Sequence, residues 1–176
     1  MFPEHFSTVR LTLRPIAPDD AGPIFENYAQ DPEVTRFVIW EPHRNRSETD
    51  AFIAHCMATP PEVAQTYVLV DRATQRVLGA LDLRQAGRHR LEFGYVLARA
   101  SWGQGLMSEA LTEIVGWALT QPTVFRIGAV CDVENIASAR VMEKAGLSRE
   151  GVLRRWLVHP NLGPEPRDCF GYARVR

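Results

Sequence analysis

Two glycines one residue apart, Gly103 and Gly105, are the residues whose type and spacing first suggest chemistry. They stand at the start of a predicted helix, Gly105–Leu119. The first turn of a helix carries N–H groups without intrahelical partners and the positive end of the helix dipole. Because glycine has no Cβ, an anionic group can approach this main chain closely. The stretch predicts a phosphate cradle, although a tight turn that binds nothing would use the same residues.

Two common nucleotide-binding motifs are absent from the sequence. No GxxxxGK[ST] run occurs, which argues against a P-loop. The Gly103 region also lacks the third glycine and the downstream acidic residue of a dinucleotide-binding fingerprint. A phosphate bound here would therefore belong to a different class of ligand.

The composition predicts one compact domain, residues 1–176, because 45% hydrophobic residues can supply a core for a chain of 176. A net charge of −1, from 20 basic and 21 acidic residues, argues against nucleic-acid and membrane partners. No leader-like start and no long apolar run are found, so we expect a cytoplasmic protein. The three cysteines lack the spacing of metal ligands, so we expect free thiols and no metal.

Hydrophobic periodicity predicts that these residues belong to an α/β chain. More specifically, it predicts an α+β arrangement in which helices flank a mixed sheet. Helices are predicted to begin near Pro18, Ser47, Gly105 and Ile136, and a loop is predicted over Val34–Arg46. The predicted strands cover residues 9–13, 66–71, 77–84, 90–97, 126–133, 147–158 and 168–174. We therefore expect a mostly antiparallel sheet of six to seven strands, flanked by about four helices.

Two segments resemble the GNAT N-acetyltransferases, and within them the RimJ/RimL-like branch. These are "YVLARASWGQGLMSEAL" and "VENIASARVMEKAGLSREGVLR". Further segments are similar to that branch in the same order along nearly the whole chain: "VRLTLRPIAPDDAGPIF", "DPEVTRFVIWEP", "EFGYVL" and "RDCFGYARV". The resemblance implies the GNAT fold, in which the fourth and fifth strands splay apart.

The resemblance also implies that acetyl-CoA is the co-substrate. Its pyrophosphate would lie on the main-chain N–H groups of Gly103–Met107, and its pantetheine arm between the splayed strands. The implied cofactor-binding residues are Tyr95, Val96, Leu97, Trp102, Gly103, Gln104, Gly105, Leu106, Met107, Asn135, Ser138 and Arg140. Two of these depart from the general family pattern, because Trp102 replaces Gln or Arg and Met107 replaces Gly or Ala.

Acetyl transfer from a thioester to an amine requires a base, an oxyanion stabiliser and a proton for the departing sulfur. The resemblance implies Glu92 as the base, with a solvent-facing strand glutamate as the alternative. It implies a free N–H at a bulge near Val96 as the oxyanion donor. Met142 occupies the place of the tyrosine that serves many relatives as the acid, and a thioether cannot donate a proton. Ser138 is the implied replacement; water, or a purely capping role for Ser138, is the alternative.

Trp40, Glu41 and Trp156 are the predicted acceptor-binding residues, since aromatic walls and a carboxylate suit an amine. The predicted function is acetyl transfer to a primary amine by direct attack in a ternary complex. The acceptor would be a protein N-terminus, such as that of a ribosomal protein, or a small amine. An acyl-CoA-binding regulator without turnover is the alternative, and a homodimer is left open. No role is predicted for the histidines, His159 included.

Overall fold

Residues 2–176 form a three-layer α/β molecule in a computed structural model. Over these residues one sheet holds eight strands in the order β1-β2-β3-β4-β5-β6-β8-β7. Their bounds are β1 Phe6–Ser7, β2 Leu11–Pro15, β3 Ala64–Asp71, β4 Val77–Gly87, β5 Arg90–Leu97, β6 Arg126–Asp132, β7 Ser148–Val158 and β8 Pro166–Val175. Neighbouring strands run antiparallel except β5 and β6, which are parallel.

Five α-helices accompany the sheet in the same range: α1 Ala21–Ile24, α2 Pro32–Thr35, α3 Arg46–Ala58, α4 Leu106–Thr120 and α5 Ile136–Lys144. A π-helical turn, Phe25–Ala29, continues α1. None of the helices within residues 2–176 is both long and apolar enough to cross a membrane.

The predicted fold class is confirmed, with two local differences. The added strand β1 pairs Phe6 with Leu13 and is too short to produce a periodic pattern. The added helix α2 overlaps the start of the predicted loop, because Asp31 caps it by accepting a hydrogen bond from the Glu33 N–H, and Pro32 suits its first position.

Each face of the sheet carries its own hydrophobic core. Leu91 and Phe93 of β5 pack with α4 and α5 on one face. Val96 points the other way, toward the core formed with α1 and α3. Since side chains alternate along a strand, Glu92 also lies on this second face.

The strands β5 and β6 separate soon after they begin. Their ladder joins Arg90 to Arg126, Leu91 to Ile127 and Glu92 to Gly128, and it ends there. The predicted splay between the fourth and fifth strands is therefore present, between β5 and β6 once β1 is counted. The divergence leaves the C-terminal half of β5 with one main-chain edge facing an open gap.

Candidate active site

A cleft of approximately 1510 Å³ occupies the gap between β5 and β6. It is lined by the ends of both strands, by the turn before α4, by the first turn of α5 and by the region around α2. One continuous cavity thus connects the predicted phosphate cradle with the face of the sheet that carries Glu92.

The turn before α4 has the geometry of an anion cradle. Gly103 and Gly105 both have a φ of +74°, and Gly105 is the N-cap of α4. This left-handed conformation favours glycine over residues with a Cβ. Within residues 2–176, the N–H groups of Gly103, Gln104 and Gly105 donate to no protein acceptor. These donors are free to meet an anion.

Arg10 is a cradle residue that the sequence did not indicate. Its Nη1 donates to the Gln104 carbonyl oxygen at 2.9 Å, and its Nε donates to Glu109 at 2.7 Å. The turn is thereby fixed to the residue just before β2, which lies 94 residues earlier than Gln104 in the chain. A pairing of such long range leaves no signal in local spacing.

The two departures from the family pattern do not obstruct the cradle. The Trp102 Nε1 donates to the Leu97 carbonyl oxygen at 2.7 Å and so fixes the end of β5. The Met107 side chain is 3% exposed and belongs to the core beneath α4. Its size therefore does not fill the space above the glycines.

The first turn of α5 faces β5 across the gap. Asn135 Oδ1 accepts the Ser138 N–H at 3.1 Å, which is an N-cap. The Ser138 hydroxyl lies 2.7 Å from the Tyr95 hydroxyl, which also donates to the Ser138 carbonyl oxygen at 3.2 Å. Burial raises the pKa of Tyr95, so its hydroxyl keeps its proton. Met142 is fully buried in the core.

Glu92 lines the cleft at the point where the strands begin to separate. Its carboxylate lies 3.6 Å from the Arg84 guanidinium, which also pairs with Asp82 at 2.7 Å. Across the gap Arg126 forms an ion pair with Glu150. Charged groups of both signs therefore surround this end of the cleft, and two carboxylates share one arginine.

The predicted acceptor residues and Arg140 divide into two groups. Trp40 and Trp156 line the cleft. Glu41 lies outside the cleft lining and pairs instead with Arg44 at 3.2 Å. Arg140 is exposed on a side of α5 that does not line the cleft.

The bulge expected near Val96 does not occur. Over Leu91–Leu97 the β4–β5 register runs without a shift, and Val96 pairs with Ala80. The divergence of β6, rather than a bulge, exposes the main-chain edge of β5. The remaining predicted residues of β5, Tyr95 and Leu97, line the cleft with Val96.

Tyr28, Asp82 and His159 are among the cleft-lining residues that were not predicted. Asp82 could have been found from the alternation of β4, where it lies between the buried Leu81 and Leu83. The other two are placed by tertiary packing alone. No cluster of three or more potential metal ligands is found within residues 2–176.

Comparison with known proteins gives consistent matches. The family model described as Acetyltransferase (GNAT) domain matches residues 10–148. The uncharacterized N-acetyltransferase YoaA of Bacillus subtilis (strain 168) is 32% identical over 179 residues, which cover 100% of this chain and 99% of YoaA.

Solved structures have the same architecture. An acetyltransferase (GNAT family) from Bacillus anthracis has a TM-score of 0.84 at 26% identity, covering 97% of this chain and 98% of that one. The ribosomal L7/L12 alpha-N-protein acetyltransferase RimL in complex with coenzyme A has a TM-score of 0.83 at 19% identity, covering 98% of each chain. At that lower identity the likeness is one of fold alone.

Proposed function

Because the chain belongs to the GNAT acetyltransferase family, we propose that it transfers the acetyl group of acetyl-CoA to a primary amine by direct attack in a ternary complex. Membership makes it an acetyl-CoA-dependent N-acetyltransferase, and the acceptor and the residue roles are the proposal. The observation that carries it is the row of unpaired N–H groups at Gly103–Gly105, which opens into the gap between β5 and β6.

The residues of the cradle fit the pyrophosphate of acetyl-CoA. Left-handed glycines keep the approach to the main chain clear, and no Cβ stands between the N–H groups and a phosphate. The amide of Asn135 lies at the wall of the gap, where the pantetheine amides would pass. The open edge of β5 at Tyr95–Leu97 would supply main-chain hydrogen bonds to the same arm.

The chemistry proposed for this chain begins with the removal of a proton from the acceptor amine by Glu92, through bridging water. The amine nitrogen then attacks the thioester carbon, and a main-chain N–H near Val96 stabilises the oxyanion. As the C–S bond breaks, Ser138 gives its proton to the thiolate. Tyr95, hydrogen-bonded to Ser138 at 2.7 Å, would orient the serine hydroxyl, which regains its proton from water.

The proposed acceptor is a primary amine, as a protein N-terminus or as a small amine. Trp40 and Trp156 offer aromatic faces to an ammonium, and Asp82 and Glu92 offer carboxylates. RimL is an α-N-protein acetyltransferase, whereas another neighbour of the same fold is a spermidine N-acetyltransferase in complex with spermine. Both acceptor classes therefore enter the test, and the cytoplasmic location stays a prediction.

The alternative, an acyl-CoA-binding regulator without turnover, is not favoured by relatives named as N-acetyltransferases. The deciding experiment measures free CoA released from acetyl-CoA with a panel of amines and peptides that carry free N-termini. We expect thiol release with at least one acceptor, and a higher melting temperature in acetyl-CoA. A shift in melting temperature with no release for any acceptor would favour the regulator.

A further inference from the structure

His159 is a buried polar side chain for which the proposed chemistry has no use. The residue is 2% exposed, and neither ring nitrogen has a hydrogen-bond partner within residues 2–176. Leaving buried polar atoms unpaired costs stability, so such atoms in a folded protein call for an explanation. The ring lines the cleft, where an acceptor or a water could supply the partner.

Asp132, the last residue of β6, gives His159 a charged neighbour. Its Oδ2 lies 3.7 Å from the His159 Nε2, and the carboxylate is fully buried. Burial by itself would raise the pKa of Asp132. Hydrogen bonds from Arg167 and from the Glu134 N–H have the larger combined effect, so the pKa of Asp132 is lowered. A carboxylate held in its ionised form stabilises an imidazolium that forms beside it.

The strand register places this pair level with the proposed reaction centre. Glu92 and Gly128 are the last paired residues of β5 and β6. Val96 and Asp132 each lie four residues further along, on the same face of the sheet as Glu92. At about 3.3 Å per residue, Asp132 is displaced along its strand by about 13 Å from the level of Glu92. His159, 3.7 Å from Asp132, therefore lies beyond the point where the strands separate, and both His159 and Val96 line the cleft there.

Two loops cover this end of the cleft. The Phe37 ring packs edge-on against His159, with centroids 6.4 Å apart. The Asn161 side chain donates to the Thr35 and Trp40 carbonyl oxygens at 2.6 and 2.8 Å, which joins the loop after β7 to the region of α2. An imidazole under such a cover meets little bulk water, and its proton transfers are then with the bound acceptor.

We infer that His159, beside Asp132, accepts the proton that the acceptor nitrogen loses as the new C–N bond forms. The inference rests on the proposed function and adds a second proton acceptor to it. An acceptor that enters as an ammonium loses two protons, the first to Glu92 and the second to His159. Ser138 protonates the departing thiolate and is restored, through water, by one of the two protons that the nitrogen loses. The net products are amide, CoA thiol and the one proton that remains.

Several charged groups lie around His159. Asp132 faces it from β6, and Arg167 of β8 pairs with Asp132 at 2.5 Å and with Glu134 at 3.0 Å. Burial raises the pKa of Cys169, a further β8 neighbour of Asp132, to about 11, so that thiol stays neutral near pH 7. The Arg36 guanidinium carbon lies 5.1 Å from the centroid of the Phe37 ring.

The test compares the wild-type enzyme with His159→Gln, using an acceptor found by the thiol-release panel. We expect a loss of about 100-fold in kcat/KM at pH 7.5, with unchanged acetyl-CoA affinity. The acceptor amine titrates identically in both measurements, so its effect is removed when wild-type kcat/KM is divided by variant kcat/KM. This ratio should rise with pH and then level off, because only an unprotonated base can accept the proton and the variant lacks that base.

A ratio that does not change with pH would overturn the inference, because a structural role lowers kcat/KM equally at every pH. His89→Gln is the matched control, since that exposed histidine lies at the β4–β5 turn outside the cleft lining. Circular dichroism melting checks the fold, and His159→Asn replaces the first variant if that one melts early.

Glu92→Gln keeps the inference falsifiable even if neither His159 variant folds. The ratio of wild-type to Glu92→Gln kcat/KM should stay level over the pH range in which wild-type kcat/KM rises. A rise of that ratio with pH would mean that Glu92 causes the pH dependence of wild-type kcat/KM, and it would reject His159. A wild-type enzyme that binds no acetyl-CoA would instead reject the proposed function, whereas turnover with a level His159 ratio rejects the inference alone.

Discussion

The two ends of the cleft are built in opposite ways. The cradle comes from one stretch of chain, Gly103–Met107, and presents main-chain N–H groups. The acceptor end comes from four separate parts of the chain, namely the region of α2, strand β5, strand β6 and the loop after β7, and it presents side chains. A ligand bound by main chain depends on backbone conformation, whereas one bound by side chains depends on residue identity.

This difference predicts opposite responses to substitution. At the cradle a substitution should have an effect only where it alters φ or blocks the approach of a phosphate. That effect should be a lower affinity for acetyl-CoA. At the acceptor end a change should leave acetyl-CoA affinity intact and appear in kcat or in the KM for the acceptor. Four variants sharpen or break the comparison.

Gly105→Val should have the largest effect. A β-branched residue at a φ of +74° is strained by about 1–3 kcal/mol, and its Cβ would lie 3.8 Å from the Arg10 guanidinium that fixes the turn. We expect acetyl-CoA affinity to fall by about 100-fold or more, measured by calorimetry. Gly116→Ala is the control, because this glycine is inside α4 with nothing within 4 Å of an added Cβ. Equal losses in both variants would argue against the cradle.

Glu92→Gln should come second. Removing a general base normally lowers the rate by about 100-fold or more, and acetyl-CoA affinity should be unchanged because Glu92 lies far along β5 from the cradle. Stopped-flow thiol release and calorimetry separate the two quantities. Glu113→Gln, an exposed change on α4, is the control for loss of a carboxylate. Full turnover in Glu92→Gln would remove its assigned role.

The same contrast between a local stretch of main chain and side chains from distant parts of the chain explains how much of each end could be predicted from the sequence. The glycines, the helix that follows them and the alternation of β5 are local patterns, so the turn before α4 and the strand β5 could be predicted from the sequence. The gap beside them was predicted only from the family resemblance. The strand β1 is only two residues long, and the π-helical turn Phe25–Ala29 departs from a regular helical period. Neither produces a pattern by which a sequence could reveal it.

The acceptor end shows where sequence reasoning stops. Trp40 and Trp156 were predicted from residue type and line the cleft, whereas Glu41, chosen on the same grounds, pairs with Arg44 outside it. His159 shows no metal-like spacing in the sequence, and its neighbour Asp132 is 27 residues earlier. They are brought together because β8 pairs with both β6 and β7, and no local periodicity encodes that pairing.

Ser138→Ala should have a smaller effect than Glu92→Gln. Water can protonate a thiolate, so we expect kcat to fall only about 10-fold, less than is usual for loss of a general acid. Tyr95→Phe should give a similar loss, and the double variant should be no worse than either alone, because the hydroxyls act as a pair 2.7 Å apart. Independent, multiplying losses would show that the two hydroxyls act separately.

Trp156→Ala should have the smallest effect, and that effect should be limited to binding of the acceptor. The side chain is 57% exposed, so its removal creates no cavity and should leave the melting temperature nearly unchanged. Loss of one aromatic contact should raise the KM for the acceptor by about 2- to 10-fold with kcat held. Phe125→Ala, a 49% exposed aromatic outside the cleft lining, is the matched control. A rise in the KM for acetyl-CoA instead would show that the two ends of the cleft are not separable, because a side chain at one end would then govern the ligand bound by main chain at the other.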